Sequence, residues 1–212
     1  MGRIMDNLIA GYRRFLNGAW VHERERWAEL TEGQAPHTMI VACSDSRVDP
    51  AQIFDTRPGE VFVVRNVAAL VPPFETSPGQ HGVSAALEFA VRELKVAEIV
   101  VMGHGRCGGC HAALTGAFAE AEPGKGGFIA SWTALLNDAR DRVRARFDDL
   151  SSREAGRAME EEAVKTSVAN LRTFPFVRKG EAAGTLALTG AVFAIADGVL
   201  SVVGDDGAFS AA

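Results

Sequence analysis

Apolar residues recur at helical spacing near the start of the chain, at Ile4, Leu8, Ile9, Tyr12, Phe15 and Leu16, and the pattern breaks at Asn17-Gly18. Trp20 and Trp27 follow among charged residues, so the spacing predicts two amphipathic helices within residues 4–30, their aromatics available to cover this subunit or a second one. From Thr38 the pattern changes to short continuous apolar runs, Thr38–Cys43, Val61–Arg65 and Glu98–Gly103, each closed by polar or glycine-rich residues. Runs without alternation predict strands buried on both faces, as in a parallel sheet. Between the second and third runs, Ser77-Pro78-Gly79-Gln80 has the form of a capping box with Pro at the first helical position. Val83, Ala86, Leu87, Ala90, Val91 and Leu94 then share one helical face, which predicts a strand, a right-handed crossover helix and a strand. A glycine-rich loop at 123–127 precedes a charged stretch, 128–172, that reads as helical with a solvated face. The tail reads as a strand over 185–195, a tight turn at Asp197-Gly198 and a second strand over 199–203.

Composition narrows the class without choosing a function. The 212 residues are 47% hydrophobic and 23% charged, the balance of a globular chain with a sizeable core, and no repeat or composition shift marks a domain boundary. A formal net charge of −5 argues against a basic nucleic-acid binder. No apolar run reaches the roughly 20 residues of a membrane helix and the N-terminus lacks the pattern of a signal peptide, so a cytoplasmic location is expected, with no membrane partner. Three cysteines point away from a disulfide framework and towards metal ligands, reactive thiols or packed core.

In open α/β sheets the working residues lie just beyond the carboxyl ends of the parallel strands. Two such ends carry chemistry here: Cys43-Ser44-Asp45-Ser46-Arg47, and Gly103-His104-Gly105-Arg106-Cys107-Gly108-Gly109-Cys110-His111. If the two strands are neighbours, Cys43, His104 and Cys107 converge on one point. Two thiolates and one imidazole suit tetrahedral Zn²⁺ and leave the fourth position open, as at catalytic zinc sites. Taken singly, a cysteine ending an apolar strand is also a common small core residue, and Asp45 with Arg47 is an ordinary ion pair. The segment 107–111 is formally C-x-x-C-H as well, which leaves a haem carrier or a thiol redox protein as a different class of reading. Cys110 itself reads as a packed thiol.

Cys-Ser-Asp-Ser-Arg followed by His-x-x-Cys-Gly-Gly resembles the β-class carbonic anhydrases of the plant-type branch. The likeness extends through Pro58-Gly59-Glu60, Val64–Ala68 and Glu88–Lys95, and more loosely through Ser167–Leu171, Thr173–Val177 and the C-terminal strand. The resemblance implies an α/β fold with a central mostly parallel β-sheet flanked by helices, an N-terminal helical arm and a C-terminal strand hairpin. It implies one domain spanning 1–212, with a dimerisation arm over 1–33 and a zinc-binding core over 34–212. Cys43, His104 and Cys107 are the implied ligands of one Zn²⁺ per chain, and Asp45 with Arg47 the implied catalytic dyad. An obligate homodimer is the implied assembly, with a tetramer as the alternative and the choice between them not set by the sequence.

The implied reaction is the hydration of CO2 to bicarbonate by water that zinc has made acidic. Asp45 would orient that nucleophile, and Arg47 would hold Asp45 ionised and away from the metal. The same site could hydrolyse a CO2 analogue such as carbonyl sulfide or carbon disulfide. By resemblance, Gln34 is a donor towards bicarbonate, and Phe62 and Phe89 wall a CO2 pocket. Phe89 stands where many relatives carry Tyr. His22 and His37 are proton-transfer candidates in so far as histidine titrates near neutral pH. Ile40 stands where the branch inhibited cooperatively by bicarbonate has a Trp, so simple noncooperative inhibition is expected, with Arg47 paired to Asp45 at neutral pH.

Overall fold

The computed structural model describes residues 4–212, which divide into two compact units, one up to Ala35 and one over Pro36–Ala212. In the first unit the amphipathic pattern forms α1 (Ile4–Asn17), which stops at Gly18, then a single turn α2 (Ala19–His22) and α3 (Arg24–Leu30). The expected second helix is therefore split at Glu23. Phe15 meets Trp27 edge to face with ring centroids 5.9 Å apart, while Tyr12 stays exposed.

The second unit is built on a six-stranded sheet. Its elements run β1 (Thr38–Cys43), α4 (Pro50–Ile53), β2 (Val61–Asn66), α5 (Gly82–Glu88), β3 (Glu98–His104), α6 (Gly108–Thr115), α7 (Gly127–Thr133), α8 (Asn137–Arg144), α9 (Arg153–Leu171), α10 (Pro175–Ala182), β4 (Ala187–Phe193), β5 (Leu200–Val203) and β6 (Phe209–Ala211). The strand order is β2-β1-β3-β4-β5-β6, parallel from β2 to β4 and antiparallel thereafter. β1 and β3 are central and buried on both faces, Ile40, Ala42, Val100 and Met102 entering one apolar cluster and Met39, Val41, Ile99 and Val101 the other. α9 lies against β3 and β4, and two glycines let it come close: a Cβ at Gly103 or Gly190 would sit 2.6 or 2.8 Å from a methyl of Val164. No helix among the described residues is long and apolar enough to cross a membrane.

Four expectations need correction. The crossover helix does not start at Ser77: residues 77–79 form a bend in which the His81 ring meets the Ser77 carbonyl at 3.0 Å, and helix begins only at Gly82. It continues through Phe89–Glu93 as a π-turn. The stretch 128–172 is not one helix but α7, a 3₁₀ turn, α8 and α9. The last of these restarts at Ser152, whose hydroxyl accepts from the Ala155 amide at 3.2 Å. β2 is an edge strand with Val63 exposed, so a continuous apolar run did not mean burial on two faces. Beyond the C-terminal hairpin, β6 pairs with β5 and was not expected, its three residues being too short to carry a pattern.

Candidate metal centre

β1 and β3 are parallel neighbours, so their carboxyl ends deliver Cys43 and His104 to the same edge of the sheet. Cys107 follows as the N-cap of α6. The result is a buried group in which one ligand atom each from Cys43, His104 and Cys107 lies within 4.8 Å of the others. The two sulfurs are 3.9 Å apart. Two thiolates bound to one tetrahedral zinc at about 2.3 Å stand about 3.8 Å from each other, so the spacing fits that metal.

The imidazole is already oriented. Nδ1–H of His104 donates to the Gly105 carbonyl at 2.9 Å, which leaves Nε2 as the lone-pair nitrogen. Nε2 is buried and no hydrogen-bond partner reaches it, although the ring is 1% exposed. Burial works against the charged ring, but the Cys43 thiol and the Asp45 carboxylate more than offset it, so the His104 pKa is raised. Each thiol is pushed up to about 12, Cys43 chiefly by Cys107 and by burial, Cys107 chiefly by Cys110. Two facing thiols held protonated beside an unpartnered imidazole nitrogen form a donor set that a divalent cation would satisfy.

Asp45 and Arg47 stand at its rim. The Arg47 guanidinium donates from Nε to Asp45 Oδ1 at 2.9 Å and from Nη2 to Oδ2 at 2.7 Å, and the Arg47 amide adds a bond to Oδ1 at 3.0 Å. This bidentate clamp holds the Asp45 carboxyl well below the usual carboxylate range. Oδ2 lies 3.9 Å from His104 Nε2. Arg47 Nη2 also donates to the Arg106 carbonyl at 3.2 Å, joining the two strand-end loops.

Two residues in this frame were not singled out from the sequence. Arg65, near the end of β2, donates from Nε to the Cys43 carbonyl at 2.9 Å, from Nη2 to the Asp45 carbonyl at 2.6 Å, and from Nη1 to the Asp49 carboxylate at 3.2 Å. Asp49 in turn caps α4, accepting from the Ala51 amide at 2.9 Å ahead of Pro50. Glu160 of α9 is buried and accepts the Cys107 amide at 3.1 Å, and burial raises its pKa. Its only signal in the sequence was a carboxylate at the edge of the Ala155, Ala158, Met159, Ala163 stripe.

The other candidates within the second unit are not gathered at this point. Phe62 and Phe89 do meet, with centroids 5.9 Å apart, and Phe89 is 45% exposed. Phe62 pairs in register with Met39, four residues before Cys43, so it lies roughly 13 Å back along the strand at about 3.3 Å per residue. His37 precedes β1, at the opposite end of the sheet, where its carbonyl accepts from Ala97. Gln34 and His22 are exposed residues of the first unit. Cys110 is buried in the apolar core, as the packed-thiol reading expects.

Residues 38–200 match the sequence family described as Carbonic anhydrase. The chain is 32% identical over 198 residues to Beta carbonic anhydrase 3 of Arabidopsis thaliana, covering 93% of this chain and 76% of that one. It superposes on the β-carbonic anhydrase CcaA with a TM-score of 0.90 at 30% identity, over 100% of this chain and 93% of the other. On a Coccomyxa β-carbonic anhydrase solved with acetazolamide the TM-score is 0.81 at 30% identity, over 95% and 87% of the two chains.

Proposed function

The chain belongs to the carbonic anhydrase family, in its β class, and from that premise we propose that it catalyses the reversible hydration of CO2 to bicarbonate and a proton, with one Zn²⁺ per chain on Cys43, His104 and Cys107. The observation that carries this reading is the buried meeting of two thiols and an unpartnered imidazole nitrogen beside an ion-paired carboxylate.

Zinc, when bound, supplies a Lewis acid that makes water nucleophilic near neutral pH. The protein's own groups do the rest. The Gly105 carbonyl fixes the His104 tautomer, so that Nε2 offers its lone pair without a proton to lose. Arg47 keeps Asp45 ionised, so the carboxylate accepts a hydrogen bond and orients the attacking oxygen towards CO2. By occupying both carboxylate oxygens, Arg47 also holds Asp45 back from the ligand position. Arg65 and Glu160 are positioning residues: one fixes the loop that carries Asp45, the other the amide of Cys107.

Within one chain Phe62 and Phe89 are too far along the sheet to wall a pocket at Cys43. They can do so only for the site of a second copy laid against the β2 edge, where Val63, Val67 and Phe89 are exposed. We therefore read the working enzyme as a homodimer whose CO2 pocket is completed across the interface. Ile40, 2% exposed within β1, has no donor to offer a separate bicarbonate site, which supports noncooperative inhibition by that anion. The free thiols suit a reducing compartment such as the cytoplasm.

Stopped-flow CO2 hydration tests the reading on zinc-loaded, chelator-stripped and zinc-restored protein. Activity should vanish on stripping and return with zinc, and Asp45→Ala should keep its zinc while turnover falls on the order of 10²-fold. A zinc-loaded protein that does not hydrate CO2 overturns the function, and a fully active Asp45→Ala variant removes the carboxylate from it.

A further inference from the structure

The proposed metal site uses two of three buried cysteines and leaves Cys110 without a role. Cys110 is not placed at random in the core. Cys107 occupies the N-cap of α6 with φ −70° and ψ 120°, and Cys110 is the third helical residue after it. An extended N-cap residue turns its side chain back over the first helical turn, towards that third position. Both thiols enter the same buried apolar cluster, three residues apart at the start of one helix, the spacing at which side chains are neighbours. The turn has an open side, since a Cβ added at Gly108 would meet nothing within 4 Å. C-x-x-C across a helix start is the spacing at which disulfides form and break readily.

Cys43 is a poorer partner for Cys107 despite its sulfur lying 3.9 Å away. β1 is paired on both sides, and Arg65 donates to the Cys43 carbonyl. Closing that gap to a bond of about 2.05 Å would pull the start of α6 against a strand end that the sheet holds, whereas Cys107 and Cys110 lie within one helical turn.

We propose that Cys107 and Cys110 form a peroxide-driven disulfide that dismantles the metal site, with Cys110 as the resolving thiol. This rests on the reading of Cys107 as a ligand. The Cys107 sulfur, which would be a thiolate when it serves as a metal ligand, attacks the terminal hydroxyl oxygen of hydrogen peroxide or an alkyl hydroperoxide. The O–O bond breaks, the departing hydroxide or alkoxide takes a proton to give water or an alcohol, and a sulfenic acid remains on Cys107. The Cys110 sulfur then attacks the Cys107 sulfur: the S–S bond forms, the S–O bond breaks, and the hydroxyl leaves with the Cys110 proton as water. The two sulfurs lose two electrons and the peroxide gains them. A disulfide sulfur carries no thiolate charge, so Cys43 and His104 are left as a two-ligand remnant too weak to retain zinc. A dithiol reductant returns the two electrons and restores the site. Hydrogen peroxide is no bulkier than bicarbonate, so a site that admits the product admits the oxidant.

Zinc-loaded wild type, Cys110→Ser and Cys110→Ala are exposed to hydrogen peroxide, zinc release is followed with a chromogenic chelator, and the cysteines are alkylated and mapped by mass spectrometry. Wild type should release its zinc as a Cys107–Cys110 disulfide appears, and dithiothreitol should reverse both. The two variants should release zinc about 10-fold or more slowly, with oxygen adducts on Cys107 in place of the disulfide. A Cys43–Cys107 disulfide in the wild type, zinc release from the variants as fast as from wild type, or a zinc-loaded wild type that peroxide leaves intact would each overturn the switch while leaving the hydratase reading in place. Wild type that carries no zinc after purification and zinc addition would instead overturn the metal reading, and the switch with it.

Discussion

His104 shows at a single atom why the candidate site calls for a cation. A buried polar atom without a partner costs about 1–3 kcal/mol, and Nε2 is kept in that state because Nδ1–H is committed to the Gly105 carbonyl. The facing thiols, pushed up to about 12, are protonated at any ordinary pH without metal. Each must lose a proton to bind zinc, so loading releases protons and is favoured as pH rises. Apparent zinc affinity should therefore fall as pH is lowered, by up to about two log units per pH unit while both thiols start protonated. Competition with a chelator of known affinity between pH 6 and about 8.5 measures this slope. An affinity independent of pH would show that the thiols are not the ligands.

At the scale of elements, the site depends on a turn that the amino-acid preferences alone do not favour. Ala68 and Ala69, just after β2, both adopt left-handed φ values of 65° and 55°, a conformation that non-glycine residues resist. The turn persists because its surroundings hold it. Asn66 bonds both the carbonyl and the amide of Leu70 at 2.8 Å, Ser167 bridges Ala69 and Val71, Asn170 donates to Val71, and Trp132 Nε1–H donates to the Val67 carbonyl at 2.8 Å. The first turn of α6 packs onto this turn through Gly109, where a Cβ would lie 2.7 Å from Val67 Cγ1 and 3.0 Å from Ala68 Cβ. Gly109→Ala should cost about 1–3 kcal/mol by overpacking and shift the Cys107 loop. Calorimetry of the apo protein should show a lowered Tm and equilibrium dialysis a weakened zinc affinity. Wild-type values for both would mean that the turn yields freely.

Across the whole molecule, the decisive asymmetry is that β1 and β3 are sealed in the sheet while β2 is left at its edge. Val63, Val67 and Phe89 are exposed apolar residues near that edge, and a second copy laid against it, as proposed above, would cover them. Phe89→Glu places a charge on it without touching the proposed ligands. Sedimentation should show the dimer weakened towards monomer, and CO2 hydration should fall with dimer content while zinc stoichiometry holds. A fully dimeric and fully active variant would remove this face from both the interface and the pocket.

Much of this was legible in the order of residues. Continuous apolar runs marked β1 and β3 because burial on both faces leaves no polar alternation, and residues placed just after such strands lie at a sheet end whatever the details of the fold. For that reason Cys43, Asp45, Arg47, His104 and Cys107 could be named, and the structure brings all five together. Local chemistry misled where a competing contact was cheaper: Ser77 and Pro78 suit a helix start, yet the His81 ring closes a bend there first. Nothing in spacing showed that β2 would be the edge strand, since strand order follows from how the crossovers pack and not from any one run. Nor could the roles of Arg65 and Glu160 be read locally. A buried or half-buried polar group is tolerated where distant backbone groups meet it, and the carbonyls of Cys43 and Asp45 and the amide of Cys107 come within reach of Arg65 and Glu160 only once the sheet and α9 have assembled.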